Sequence, residues 1–466
     1  MGFSNIRFII ESDAILACIL PLALLLIGFN LKLFSKISLY KISQLFSLRR
    51  LYLEPSRNSY FSLERAYHSY SQYACLSAKE LSMMQTSYRT LHHSNKNLGN
   101  SIGYPKKLDQ LGYVTTLNAT ITDGIAQLAQ EEFPFLLYQR RIDMVSPDLT
   151  RVRESLKHFI RDWSEEGARE RTRTFSPILD VLNEVDPSRR ADMKILVPGC
   201  GLGRLAWEIS QLGWYTYSSK ISVGLIRILF LGFDTTANEL SFFMTLALRF
   251  LFSPKATSSV NEHWLRPYAY WFSHQKSNES LFRRVSFPDV IPRFTPNFHL
   301  VEQDFLTLPI PSAERSDNLA LIWSTNQSSE GYDFIVTLFF IDTSLDVFAT
   351  MKHIYTLLRP GGSWINLGPL LWTGGTQAKV ELSLDEVLLA AENIGFVIQN
   401  EAQGTNARRT VECEYTSDPN AMMQMIYKAE FWVARKPESR WRSDCHHIGN
   451  RHSDEPKYTQ IYMWSM

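Results

Sequence analysis

Apolar positions recur at helical spacing through the first third of the chain. Leu63-Glu-Arg-Ala-Tyr-His-Ser-Tyr and Ser77-Ala-Lys-Glu-Leu-Ser-Met-Met contain few breakers, so residues 51–135 read as helical. Val152, Leu156, Phe159, Ile160 and Trp163 share one face of a further helix over about Asp148 to Glu166. The pattern changes at Lys194. Lys194 to Pro198 is a short apolar run that ends at a glycine turn, as a buried strand does, and Gly203 to Gly213 follows as an amphipathic helix. Tyr332 to Asp342 reads as another buried strand. A helical run through Tyr355-Thr-Leu-Leu stops at Arg359-Pro-Gly-Gly, and Ser363 to Leu367 is again extended. Gly395-Phe-Val-Ile and Glu430 to Arg435 read as a closing antiparallel pair. Strands alternating with helices predict an α/β fold, a doubly wound Rossmann-like sheet preceded by an N-terminal helical region.

Composition changes this picture little. The chain has 466 residues and a formal net charge of +1, which excludes a bulk electrostatic grip on nucleic acid. Five scattered cysteines indicate no disulfide framework. Cys445-His446-His447 and His452 lack the paired spacing of a compact metal site, so no metal is expected. One stretch stands apart: Ala14 to Phe29 carries no charge and, with Asn30-Leu31, approaches the ~20 residues of a membrane span. Lys32, Lys36, Lys41, Arg49 and Arg50 follow it, which would leave the rest of the chain in the cytosol. The chain thus divides into an apolar segment (1–50) offering membrane association through residues 14–31, a helical region (51–150), an α/β domain (151–437) and a polar tail (438–466).

The candidate chemistry starts at Val197-Pro-Gly-Cys-Gly-Leu-Gly203. A strand turning sharply into a helix sets a ligand against backbone amides and a helix N-terminus, and Gly199, Gly201 and Gly203 allow close approach. A dinucleotide fingerprint would need its last glycine at Arg204, and the Lys-Ser/Thr of a phosphate loop is absent. The alternative is a glycine turn that binds nothing. Gly232-Phe-Asp-Thr-Thr-Ala-Asn-Glu239 supplies an acidic residue where a second strand should end, placed for ribose hydroxyls. Gln303-Asp304-Phe305 adds a carboxylate and a ring for the edge and face of an adenine. The second strand should start near Phe233, which leaves residues 214–231 as an insertion outside the sheet.

Together these blocks resemble the carnosine N-methyltransferase family, over about Val152 to Pro437 and more weakly from Asn58. They are Phe159-Ile-Arg-Asp-Trp-Ser-Glu-Glu-Gly, Leu196 to Ile209, Ala237-Asn-Glu-Leu-Ser-Phe-Phe-Met, Ser286-Phe-Pro-Asp-Val, Phe339-Phe-Ile-Asp-Thr and Trp364-Ile-Asn-Leu-Gly-Pro-Leu-Leu. The resemblance implies methyl transfer from S-adenosyl-L-methionine to the imidazole of carnosine, giving anserine, or of a related histidine peptide. It implies a homodimer and a cytosolic or also nuclear location, with membrane anchoring as the alternative. It assigns the cofactor to His158, Arg161, Gly199, Gly201, Gly203, Glu239, Asp304, Phe305 and Leu338, with His158 standing where the family usually has glutamine and Leu338 where it often has cysteine. It assigns the substrate to Asp342, Tyr415 and Tyr427, with Asp342 as the catalytic carboxylate. On spacing alone Asp342 could instead cap a helix and the two tyrosines could be ordinary packing. A family histidine after the Gly-Pro-Leu-Leu block has no counterpart, because Trp372 is followed by Thr373-Gly-Gly. Methylation of a protein histidine, or a non-catalytic membrane-tethered binding module, are the competing readings.

Overall fold

A computed structural model describes residues 61–137, 146–213, 232–311, 330–372, 378–399 and 404–438. Four helices come first: α1 (Leu63–Ser71), α2 (Tyr73–Arg89), α3 (His93–Ser101) and α4 (Tyr104–Glu132). Then come α5 (Leu149–Trp163), α6 (Ala168–Asn183), β1 (Lys194–Pro198), α7 (Arg204–Gln211), β2 (Asp234–Asn238) and α8 (Phe242–Phe252). A small ribbon of β3 (His263–Leu265) and β4 (Val285–Phe287) brackets the short α9 (Asn278–Leu281). The sheet continues with β5 (Phe298–Val301), β6 (Tyr332–Leu338), α10 (Val347–Leu357), β7 (Leu358–Gly368), α11 (Leu384–Ile394), β8 (Val397–Ile398), β9 (Arg409–Cys413) and β10 (Tyr427–Arg435).

The main sheet has eight strands in the order β5-β2-β1-β6-β7-β10-β8, with β9 also paired to β10. β5, β2, β1, β6 and β7 run parallel; β10 is antiparallel to β7, β8 and β9. Both faces of the central strands are covered, and β1 and β6 are accordingly near-continuous buried runs, Lys-Ile-Leu-Val-Pro and Tyr-Asp-Phe-Ile-Val-Thr-Leu. Ile195, Val197, Ile365, Leu367, Phe431 and Val433 join one core cluster with α1, α4, α5, α6 and α8. Leu196, Ile335, Trp364, Trp432 and Ala434 point the other way, into a cluster with α10 and α11. The expected doubly wound sheet with its N-terminal helices is what the chain forms.

Local signals hold in several places. Asp148 caps α5 by accepting from the Arg151 amide at 3.1 Å, and Val152, Leu156, Phe159, Ile160 and Trp163 are its buried face. β2 begins one residue after Phe233 and pairs Asp234 with Lys194, as expected. Glu430 to Arg435 lies in β10, where Ala434 opposes Ile398 of β8. Two expectations change. β7 starts at Leu358, so Arg359-Pro-Gly-Gly lies inside a strand with a register irregularity rather than before it. The strand expected to reach Asp342 stops at Leu338, because Phe339 adopts a left-handed φ of 51° that ends the extended run. Asp342 sits instead in a 3₁₀ turn, Ile341–Thr343.

Among the described residues no helix is long and apolar enough to cross a membrane. Residues 14–31, the 214–231 insertion, the loop at 373–377 and the Cys445–His452 segment lie outside the described residues.

Candidate active site

The sheet order reverses between β1 and β6, and in open α/β sheets ligands bind outside the strands' carboxyl ends at such a point. β1 leads there into Gly199, Gly201 and Gly203, with φ values of 64°, 57° and 78°. These three left-handed positions favour glycine, but their surroundings differ. A Cβ at Gly199 would stand 2.6 Å from the Phe340 ring, and one at Gly203 would stand 2.8 Å from Leu248. At Gly201 the nearest atom would be Asp162 Oδ2, 3.9 Å away. Gly199 therefore admits the turn that follows β6, Gly203 lets α7 start against α8, and only Gly201 has room beside it for a ligand.

Helix α5 crosses this loop. The Trp163 indole donates to the Leu202 carbonyl at 3.0 Å, and Arg204 donates to the Asp162 carbonyl at 3.2 Å. Asp289 holds the crossing from outside, with one carboxylate oxygen 2.5 Å from Arg171 and the other 2.5 Å from Arg204. The result is a cavity bordered by His158, Arg161, Gly199, Gly201, Leu338 and Tyr415. His158 Nδ1 is 2.8 Å from the Glu154 carbonyl, which can only accept, so Nδ1 carries the proton. Nε2 is left to accept from the Tyr415 hydroxyl at 3.2 Å. Burial, then the Arg161 charge, hold the His158 pKa below its ordinary value, so the ring is neutral.

Arg161 lies with its guanidinium carbon 4.4 Å over the Tyr415 ring. Burial works against its charge, but Asp162 at 3.4 Å, Tyr415 and Glu170 at 3.3 Å more than compensate and raise its pKa. Glu170 also accepts from the amides of Thr416, at 2.9 Å, and Ser417, at 3.4 Å, which fixes the segment carrying Tyr415. Tyr427, at the start of β10, joins through Phe339, whose ring lies 4.9 Å from that of Tyr415 and 5.8 Å from that of Tyr427.

Glu239 follows β2 and accepts from the Gly201 amide and from the Ser241 amide, both at 2.9 Å. Burial raises its pKa and these amides pull it back. Asp304, beyond β5, is exposed and caps a 3₁₀ turn through the Leu306 amide at 3.0 Å. The Phe305 ring is buried edge-on against Phe340 and His353. Asp342 is 4% exposed, and one oxygen accepts from the Leu371 amide at 3.0 Å. Burial pushes its carboxyl up to about 6, with the amides opposing.

Most expected site residues thus lie around the carboxyl ends of β1, β2, β5 and β6 and the facing start of β10. Gly203 is a packing glycine, and Phe305 has its ring engaged in the core. Sequence reasoning missed Asp162 and Phe339. Both lie inside blocks already singled out, Phe159–Gly167 and Phe339–Thr343, and position within those blocks was the available signal.

The carnosine N-methyltransferase family model matches residues 139–438. A carnosine N-methyltransferase of Schizosaccharomyces pombe is 28% identical over 81% of this chain and 95% of its own length. One of Mus musculus is 31% identical over 62% of this chain and 64% of its own. "Carnosine N-methyltransferase unmet" of Drosophila melanogaster is 31% identical over 62% of this chain and 56% of its own, so the match spans less than two thirds of the mouse and fly proteins.

Proposed function

The chain belongs to the carnosine N-methyltransferase family, and from that premise we propose that it transfers a methyl group from S-adenosyl-L-methionine to an imidazole nitrogen of carnosine, giving anserine, or of a related histidine peptide. One observation carries this reading. At the carboxyl ends of β1 and β6, the Gly199–Gly201 loop borders one cavity with Phe339 and Tyr415, Tyr427 packs on Phe339, and the buried Asp342 carboxylate follows four residues after β6.

The residues present fit the cofactor. Gly201 leaves space at the loop, and the Glu239 carboxylate beside it offers acceptors for ribose hydroxyls. Arg161 and Asp162 offer opposite charges to an amino-acid end, and His158 with Leu338 closes the wall. Asp304 and Phe305, at the end of β5, border the place where an adenine would lie. Bound there, S-adenosyl-L-methionine supplies an electrophilic methyl group. The chain's own work is alignment, since transfer needs the acceptor nitrogen held in line at near-attack distance. Asp342 accepts a hydrogen bond from one ring N–H of the acceptor. That leaves the other nitrogen with its lone pair free and offsets the charge the ring gains. Tyr415 and Tyr427 flank the acceptor ring.

Thr373-Gly-Gly, where the family carries a histidine, is the feature that keeps a related peptide or a protein histidine beside carnosine as acceptor. The proposal requires neither membrane attachment through residues 14–31 nor a second copy of the chain. It is tested by incubating the purified full chain and labelled S-adenosyl-L-methionine with carnosine, other histidine dipeptides and histidine-bearing protein. Methylated carnosine is the expected product. Cofactor binding with label only on another histidine acceptor would move the substrate, and no cofactor binding at all would return the chain to the non-catalytic reading.

A further inference from the structure

The β9–β10 connection turns sharply just after Tyr415. Thr416 has a φ of 48°, in the left-handed region that β-branched side chains rarely occupy and that persists where surrounding contacts over-determine it. Glu170 supplies one set of contacts, through the Thr416 and Ser417 amides. A second set comes from outside the main sheet, at Asp418.

The Asp418 side chain is 10% exposed, and its oxygens accept from Arg283 at 2.6 Å and from the Gln275 amide at 3.0 Å. Burial opposes its charge, but Arg283 and Gln275 outweigh burial and hold the carboxyl below its ordinary value. The same Arg283 nitrogen donates at 2.7 Å to Glu166, just beyond α5, and the guanidinium carbon lies 3.9 Å over the Tyr268 ring. Arg283 stands between α9 and β4. Its ribbon is tied in turn to α4, where Asn118 accepts from the Arg266 amide at 2.9 Å and donates to the Arg266 carbonyl at 3.1 Å. Farther along the connection, the Met422 amide donates to the His274 carbonyl at 2.6 Å, and Ala421 bridges to Gln275. Arg283 thus joins the loop after α5 to the segment after Tyr415, and the small β3–β4 ribbon is the frame it stands on.

We propose that Arg283 and Asp418 are positioning residues for the cofactor wall: their ion pair holds the β9–β10 connection against the end of α5, which keeps Tyr415 over Arg161 and within reach of His158. This rests on the reading of the cavity beside Gly201 as the cofactor site. Glu170 fixes two adjacent amides, which is a single point of attachment. Asp418 adds a second point, and two points set the direction of the chain between α6 and the ribbon. Lysine would not serve in place of Arg283, because a single ammonium lacks the planar fork that meets two carboxylates while stacking on a ring.

The test compares D418A, D418N and R283K in the full chain, by S-adenosylhomocysteine calorimetry and by Tm. D418A keeps the Arg283–Glu166 pair but removes the attachment, and its affinity should fall about tenfold. R283K should fall in the same direction. D418N keeps an acceptor for Arg283, and its new NH₂ can meet Gln275 Oε1, which is buried without a partner, once that amide rotates. Its affinity should return to within about threefold of the unmodified chain. A Y415A background separates positioning from plain stability: there D418A should cost less than about twofold, because the side chain it positions is gone. Unaltered affinity in D418A would overturn the inference, whatever its Tm, and so would a loss undiminished by Y415A. A D418N variant as impaired as D418A would overturn it too. Should D418A or the double variant not fold, unaltered affinity in R283K would decide against it equally. An unmodified chain that binds no S-adenosylhomocysteine would instead sink the reading of the cavity, and this inference with it.

Discussion

The Tyr415 hydroxyl donates to Nε2 of His158 at 3.2 Å, joining the β9–β10 connection to helix α5 across the cavity. In this direction the bond needs a neutral imidazole, because a protonated Nε2 has no lone pair and could only donate to the phenol oxygen. Burial and Arg161 keep the ring neutral by lowering its pKa. Glutamine reaches the same hydroxyl with its carbonyl, so H158Q should keep S-adenosylhomocysteine affinity within about threefold. H158A removes the acceptor, and an unmet buried partner costs about 1–3 kcal/mol, or roughly 5- to 150-fold in affinity. Calorimetry on both variants checks this. Equal affinities in H158A and the unmodified chain would show that the pair does not shape the cofactor site.

Glu239 should carry more of the cofactor's affinity than any neutral neighbour. Its two oxygens already take the Gly201 and Ser241 amides at 2.9 Å, so the carboxylate is held facing the loop before any ligand arrives. Charge-assisted hydrogen bonds contribute about 1.5–3 kcal/mol each. E239A should therefore weaken cofactor binding at least about tenfold and raise KM for S-adenosyl-L-methionine, with KM for carnosine little changed. A rise in the carnosine KM alone would place Glu239 on the wrong side of the site.

What could be read before any fold was known follows from what leaves a local trace. The glycine loop was legible because positive φ selects glycine, and Glu239 because it lies a fixed distance along an alternation of strand and helix. The turn at Phe339 was not legible. Tyr332 to Asp342 is unbroken by glycine or proline, and a non-glycine residue at positive φ leaves no mark in the hydrophobic pattern. The different duties of Gly199, Gly201 and Gly203 were hidden as well, since they are set by Phe340, Leu248 and Asp162 across the fold. The same holds for Asp289, whose partners Arg171 and Arg204 are fixed only by tertiary packing.

The insertion at 214–231 should be removable. Gly232 returns to the end of α7, where a Cβ on it would stand 2.2 Å from the Ser210 carbonyl and 2.8 Å from that of Leu212. The buried Asn297 amide donates to the Ser210 carbonyl at 2.8 Å and the Phe233 carbonyl at 3.2 Å, so it ties together the two sides of the insertion. Joining Gly213 directly to Gly232 should leave Tm within a few degrees and carnosine turnover near that of the full chain. N297A should be destabilised by about 1–3 kcal/mol in denaturant, since it takes the side-chain donor from the Ser210 carbonyl, while the Phe233 carbonyl keeps the Thr235 hydroxyl at 3.0 Å. A deletion variant that cannot bind S-adenosylhomocysteine would show that 214–231 supports the site.

Asp342 should trade stability for activity, with a defined pH dependence. Burial raises its pKa from 3.8 to about 6. A carboxyl raised in the folded state binds more protons there than in the unfolded chain between those values, so its contribution to stability falls as pH rises from about 4 to 6. Above pH 6 the folded protein carries a buried carboxylate eased only by amides such as that of Leu371. Asn keeps an acceptor for that amide and carries no charge, so D342N should raise stability at pH 7.5 by on the order of 1–2 kcal/mol, discounted from the full shift because its NH₂ needs a partner. Activity should move the opposite way. The carboxylate form is the one that accepts the imidazole N–H, so kcat of the unmodified chain should rise through about pH 6 and level off. D342N should lose at least about a hundredfold in kcat/KM for carnosine, consistent with losing a charge that stabilises the developing cation. Its residual kcat should no longer rise through pH 6, while kcat/KM should still follow the free imidazole's own protonation. A D342N variant with normal turnover, or with an unchanged kcat profile, would remove Asp342 from the reaction.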